Sequence, residues 1–537
     1  MSVHTQPAGE TATVRSGLSE PDRTVLAWNG ILNNSWPVIA SIVGFVVTPV
    51  MLRHLGADLF GTWTTMLAFI ALAALLDAGV NFIVIRQVAS SHDAAVMQGL
   101  AGAALAFYLL FGLLGGILIG ALGAMGVVAG PERATAVSAS AALGALFFGE
   151  QLLAFASAVL TGQQRFRALT YVNSAGSLAK GLILLVLSLR GEPFVVLLAW
   201  YAVASCVVGF AGSLIALETP RALSPAGLHA GWSLLVKDWR FGLMSRVASV
   251  IAAAIWQGPM LVIAAVSGVG SVTAYRVGQR MPFELSSISW RASEVFFPRA
   301  SQYASERAHG SLREIFALST RWMLFLTLPA AIALVWLAPE LLRAWLGQPP
   351  AGSIAVLRIT TIAVTLGAIG NGADNLLMGE GRAGPALAVG AGVALVTLGL
   401  GGFLLRPWGV PGFAAAGLLA WAFSTGAYLF LETRTHGISW WELGRSAARG
   451  LFVPLAAEAG AIALARFFSP ETRWLGALLP LAAGLIAYAA TVYWTCEQER
   501  QLFRQILRGT PKGNRAAELI TLSQTSVDEV LHHHSDV

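Results

Sequence analysis

The chain has 537 residues, of which 56% are hydrophobic and 12% charged, with mean hydropathy +0.68. Soluble domains carry roughly 25% charged residues, so these values exclude an ordinary soluble enzyme and point to an all-α integral membrane protein. The formal net charge of +6 would suggest nucleic acid in a soluble chain; here the placement of the charges matters more, and no nucleic-acid partner is expected.

Residues 1–27 are polar and lack the basic start, apolar core and cleavage site of a signal peptide. They read as a disordered cytoplasmic tail. Apolar runs follow near 28–52, 60–85, 98–129, 134–162, 168–189, 194–217, 241–267, 271–298, 316–342, 353–378, 383–405, 412–431, 449–466 and 473–496. About 20 apolar residues cross a bilayer's hydrocarbon core, so fourteen transmembrane helices are expected. Breaks such as "RHLGAD", "GPERA" and "GQPPAGS" carry Gly, Pro and charge. Lys and Arg favour the alternate loops on the side of both tails, which places both termini in the cytoplasm. The 217–240 connection is then inside and the 343–352 loop outside. Cys206 and Cys496 lie in or at the end of apolar runs, which is neither a disulfide framework nor a zinc site. No metal or cofactor is expected.

An internal repeat organises the runs. "LTGQQRFR" at 160–167 follows span 4 and "LMGEGRAG" at 377–384 follows span 10, pairing Gly162 with Gly379 and Arg165 with Arg382 at one offset, 217. Pro49 and Pro259 pair at a similar offset. The expected layout is an N-lobe at 28–217, a cytoplasmic linker at 218–240, a C-lobe at 241–432, two appended helices at 449–496 and a cytoplasmic tail at 497–537. Six spans per lobe leave the two lobes parallel, pseudo-symmetric and facing a central cavity, where parallel-repeat transporters hold substrate. The C-tail opens "EQERQLFRQILRG", a pattern equally suited to a basic helix on the inner leaflet and to a helical stub in water.

Span 8 contains "YRVGQRMPFELSSISWRASE" at 275–294. At 100° per residue Arg276, Arg280, Glu284, Arg291 and Glu294 share one narrow strip of the helix. A charge at bilayer centre costs about 2.5–3.5 kcal/mol or more, so the strip requires a polar cavity or a ladder of self-neutralising pairs, Arg280 with Glu284 and Arg291 with Glu294. A ladder leaves Arg276 in excess. Asn33 in span 1 is a further polar candidate. Asp77, Glu150 and Asp374 are candidate coupling carboxylates; Lys180 and Arg246 are weaker candidates, for which an ion pair or snorkelling suffices. No phosphate-binding Gly-rich loop with Lys-Ser/Thr exists, which excludes a P-loop ATP-driven pump.

"PVMLRHLGADLFGTWTTMLAFIALAALLDAGVNFIVIRQVA" resembles the opening two spans of Wzx-type polysaccharide flippases through Pro49, Leu55, Gly56, Phe60, Gly61, Trp63, Asp77 and Gly79. "LTGQQRFR" is similar to their loop after span 4. "GSVTAY", Arg280 and "FFPRAS" resemble a relative, the lipid II flippase. These families and the multidrug/toxin extrusion (MATE) transporters form the multidrug/oligosaccharidyl-lipid/polysaccharide exporter superfamily. The resemblance implies a flippase of the bacterial inner membrane, not an enzyme, that moves an undecaprenyl-diphosphate-linked oligosaccharide by alternating access, with Arg280 in the cavity. It implies membrane lipids as partners, and a polysaccharide polymerase or glycosyltransferases alongside. Two other classes stay open: a MATE-like cation-coupled exporter, and an assembly partner of a polysaccharide synthase.

Overall fold

A computed structural model describes residues 20–496 apart from 92, 125–132, 218–223, 297–300, 304–308, 438–440, 442–443, 445–449 and 469–473. The side chain of Asn33, residues 1–19 and the tail at 497–537 lie outside the described residues. α1 (Glu20–Ala73) is broken at Gly56, whose φ of 75° and ψ of 178° are not helical. The 42-residue apolar stretch Trp36–Asp77 would be about 63 Å long as one helix, twice a bilayer core. The glycine therefore divides two spans. Gly268 repeats this backbone in the second lobe, with φ 81° and ψ 163°.

The first lobe continues with α2 (Val80–Ser90), α3 (Ala94–Ala124), α4 (Arg133–Gly162), α5 (Phe166–Arg190) and α6 (Phe194–Leu217). α4 packs between α3 and α6, and α5 lies along α1. The second lobe comprises α8 (Trp239–Trp256), α9 (Gly258–Ser267), α10 (Val269–Gly278), α11 (Arg280–Ser293), α12 (His309–Trp336), α14 (Ser353–Gly379), α15 (Ala383–Leu395) and α16 (Gly401–His436). α14 is its centre, packed on α11, α12 and α16. The hairpin of α17 (Phe452–Phe468) and α18 (Leu475–Thr495) packs on α12. Nine helices among the described residues are long and apolar enough to cross a membrane. Two of these stretches hold two spans each, because Ala383–His436 is also broken, at Gly409. The bent pair α8–α9 adds another. The architecture is thus an all-helical multi-pass membrane protein of two lobes plus two helices, consistent with fourteen spans.

The repeat is visible in the backbone. Around Gln164 the bonds Gln163 N to Val159 O, Gln164 N to Thr161 O and Arg165 N to Leu160 O recur as Glu380 to Leu376, Gly381 to Met378 and Arg382 to Leu377. Gln164 (φ 56°) and Gly381 (φ 75°) both take left-handed conformations.

Four local features differ from the sequence expectation. The first helix begins at Glu20, inside the expected tail, because "EPDR" supplies a Pro and acidic residues suited to a first turn. The 218–240 linker holds α7 (Pro225–Lys237), capped by the Ser224 side chain and laid on α3 through Gly227, Gly231 and Gly99. Its polar flanks hid a short helix with small residues on its packing face. The end of span 9 separates as a buried helix, α13 (Ala338–Leu346). Span 8 breaks at Gln279. This is the local cost of Pro282, whose ring displaces the carbonyl four residues back, that of Gly278.

Candidate functional site

Between the lobes lies a cavity of about 270 Å³, walled by α1, α5 and α6 on one side and by α10, α11 and α13 on the other. Its cationic lining is Lys180, Arg276 and Arg280. The break at Gln279 re-aims the strip expected of one straight helix: Arg276 ends α10 and Arg280 opens α11. Both nevertheless enter the cavity.

Arg280 reaches across to the first lobe. Its Nη2 donates to the Ser41 carbonyl (3.1 Å), and its guanidinium lies 5.1 Å from the centre of the Phe45 ring. Gly44 makes this approach possible, since a Cβ there would sit 2.8 Å from Nη2. Glu284 pairs with Arg280 at 3.2 Å, one turn away on the same helix. Arg280 Nε is buried with no partner among the described residues. Arg276 makes no hydrogen bond or ion pair among the described residues. The cavity therefore holds guanidinium donors without acceptors, a state that favours an incoming anion.

Lys180 faces them from α5. Its ammonium donates to Glu150 (2.8 Å) and lies 5.3 Å from the Tyr201 ring. The same Glu150 oxygen accepts from Ser205 Oγ (2.6 Å). Aromatic rings complete the wall: Trp63 stands edge-on to Tyr201 at 5.0 Å, and Trp345 of α13 donates its indole N–H to the Phe45 carbonyl (2.8 Å).

The other sequence candidates fall elsewhere. Arg291 lies near the end of α11 and Glu294 in the turn after it. Neither lines the cavity, and no ion pair joins them among the described residues. Asp77 sits in a buried network, paired with Arg246 of α8 and accepting from Tyr108 Oη (3.0 Å) and Gly79 N (2.9 Å). Asp374 accepts from Tyr428 Oη (2.6 Å) within the second lobe. Sequence reasoning undervalued Lys180 and missed Ser41, Tyr201 and Trp345. A lysine in an apolar run with a carboxylate 30 positions away gives no periodic signal, and indoles are common in membrane helices.

Residues 27–304 match the family model described as "Polysaccharide biosynthesis protein". No curated protein matches significantly. Among solved structures, the lipid II flippase MurJ in an inward closed conformation aligns at TM-score 0.67 and 13% identity, covering 89% of this chain and 100% of that one. An inward-facing multidrug resistance MATE family transporter of the multidrug/oligosaccharidyl-lipid/polysaccharide superfamily aligns at 0.58 and 14%, covering 78% and 100%. A MATE transporter in the bent conformation aligns at 0.53 and 16%, covering 80% and 98%. These likenesses concern the fold.

Proposed function

Since the chain belongs to the polysaccharide biosynthesis protein family, we propose that it flips an undecaprenyl-diphosphate-linked oligosaccharide repeat unit from the cytoplasmic to the periplasmic leaflet for surface polysaccharide assembly. The observation that carries this reading is the cavity itself: Lys180 from one lobe and Arg276 and Arg280 from the other line one space between them. A diphosphate needs several cations at membrane depth, and guanidinium forks meet phosphate oxygens in pairs without ever losing their charge. An arriving diphosphate takes Arg280 from Glu284 and Lys180 from Glu150, and engages Arg276 directly. The cavity's size fits a diphosphate and the sugar next to it, with further sugars toward the open side and the polyprenyl chain left in lipid. This cationic lining disfavours a MATE-like exporter of cationic drugs.

The face on which α1 begins is the cytoplasmic one in this reading, following the Lys/Arg bias, and a polymerase or glycosyltransferases act on either side of the transport step. Moving a negative charge outward across an inside-negative membrane gains about 2.3 kcal/mol per 100 mV. Substrate charge alone then supplies a driving force. Arg291 and Glu294, at the cytoplasmic end of span 8, attract and orient the headgroup before it enters, and Asn33 adds a polar contact in span 1. A protonatable Asp77, Glu150 or Asp374 would instead couple the cycle to proton antiport.

The test is complementation of a flippase-null strain, with membrane levels checked by immunoblot. Arg280→Ala stops export, Arg280→Lys restores only part of it, and Arg276→Ala is milder. If replacing both Arg280 and Glu284 by Gln leaves export intact, Arg280 merely neutralises Glu284 and the diphosphate role is wrong.

A further inference from the structure

The turns after spans 4 and 10 share a backbone but not a chemistry. In the first lobe Arg165 Nη1 donates to the Ile215 carbonyl (3.1 Å), tying the turn to the end of α6. In the second, Arg382 Nη1 donates to Thr435 Oγ1 (3.1 Å), tying the turn to the end of α16. The structural task is the same in both lobes. At the common offset of 217, its Gln163 corresponds to Glu380 and its Ile215 to Glu432. At these two positions the second lobe carries carboxyls, with His436 a turn beyond Glu432.

These groups are buried together. His436 Nε2 lies 2.7 Å from Glu380 Oε1 and 3.6 Å from Glu432 Oε2. The Glu432 and His436 side chains are 0% and 1% exposed. Neither oxygen of Glu432 has a hydrogen-bond partner among the described residues. The charges that act on Glu432 are Glu380 and Arg382, and Arg382 is itself held by Glu380 at 3.2 Å. Other elements packed here add little. α15 carries no titratable residue, Asp374 of α14 is engaged by Tyr428, and Arg434 is drawn over Phe430 at 4.6 Å. On α12, Arg313 and Glu314 flank the Leu312 and Ile315 that pack toward this end.

Two ionised carboxylates and a neutral imidazole would leave excess negative charge, with an unsolvated carboxylate in the interior, which is costly. One added proton removes both problems. We propose that Glu380, Glu432 and His436 form a proton-binding site of the second lobe, reached from the face where α1 begins through the partly exposed Arg382. Any movement that parts the ends of α14 and α16 lets water to Glu432 and releases the proton, so occupancy is linked to lobe conformation. The site is separate from the cavity and does not depend on which substrate is carried.

The test is infrared difference spectroscopy of the full chain in lipid nanodiscs, titrated with pH and with no substrate added. A protonated-carboxyl C=O band grows as pH falls and is missing in Glu432→Gln. Glu380→Gln, which removes a repelling charge, moves the midpoint down by about one pH unit or more, and Arg382→Gln, which removes an attracting one, moves it up by a similar amount. These opposed shifts keep the test decisive if Glu432→Gln fails to fold. A band unchanged in Glu432→Gln, or a midpoint indifferent to both neighbours, overturns the proposal and leaves the flippase reading untouched.

Discussion

The lobes meet at two places, and the two contacts are built from different materials. Where α1 leaves Gly56, Gly61 lies against the Val269 carbonyl, Thr273 Oγ1 donates to the Ala57 carbonyl (2.5 Å), and Trp345 is bonded to Phe45. No ion pair enters. Where α2 meets α8, Asp77 pairs with Arg246, Arg246 also donates to Asn81 (2.8 Å), Gln87 donates to Asp238 (2.5 Å), and Arg86 lies over Phe241. Close backbone packing and ring contacts regain little from water when they part. Ions regain more, because water entering an opening seam hydrates both members, and Coulomb attraction is exchanged for hydration at small net cost. The charged seam is therefore the one whose opening can be balanced by water, and the uncharged seam opens only against the loss of packing.

The largest effect belongs to the uncharged seam. A Cβ at Gly61 would fall on the Val269 carbonyl, and no rotamer removes it. Gly61→Val should hold that seam apart and abolish export in complementation, with the protein still in the membrane. Cysteines at Ala57 and Thr273 should lose their cross-link in this background. Retained cross-linking would mean the seam tolerates bulk and is not a tight closure.

Next comes the charged seam. Asp77→Asn leaves Arg246 buried beside Asn81 alone, and breaking one side of a buried pair costs about 3–5 kcal/mol. The apparent melting temperature in detergent should fall clearly. Adding Arg246→Gln should recover most of it, because no uncompensated charge then remains. A double variant as unstable as the single one would show that Asp77 acts through Tyr108 and Gly79 rather than through the ion pair.

The same contrast explains what was legible beforehand. The repeat was readable because each turn demands particular backbone angles and an arginine donor, and both leave marks at a fixed spacing. The charged strip was readable because charge in an apolar run has few permitted places. Its division at Gln279 was displaced by three residues from Pro282, since the clash falls on a carbonyl and not on the proline. Partners across the lobes were not readable: Asp77 and Arg246 lie 169 residues apart, and no local pattern joins them. α7 and α13 were hidden because helices of 13 and nine residues are too short to show a span's length.

The smallest effect sharpens the comparison most. Trp345 joins the uncharged seam to the cavity, because its ring lines the space and its N–H holds the Phe45 carbonyl. Trp345→Phe keeps a ring against Phe45 but removes the hydrogen bond, a loss of about 1 kcal/mol. That is too little to unfold the protein, and export should continue. It is enough to raise the population of the parted seam several-fold, since 1.4 kcal/mol is about tenfold in an equilibrium. A cysteine placed at Val47, on the cavity wall, should then react faster with an impermeant thiol reagent added from the Gly56 side, while the rate from the Asp77 side stays unchanged. Equal acceleration from both sides would mean that Trp345 supports the cavity as a whole, and the two seams would not be independent.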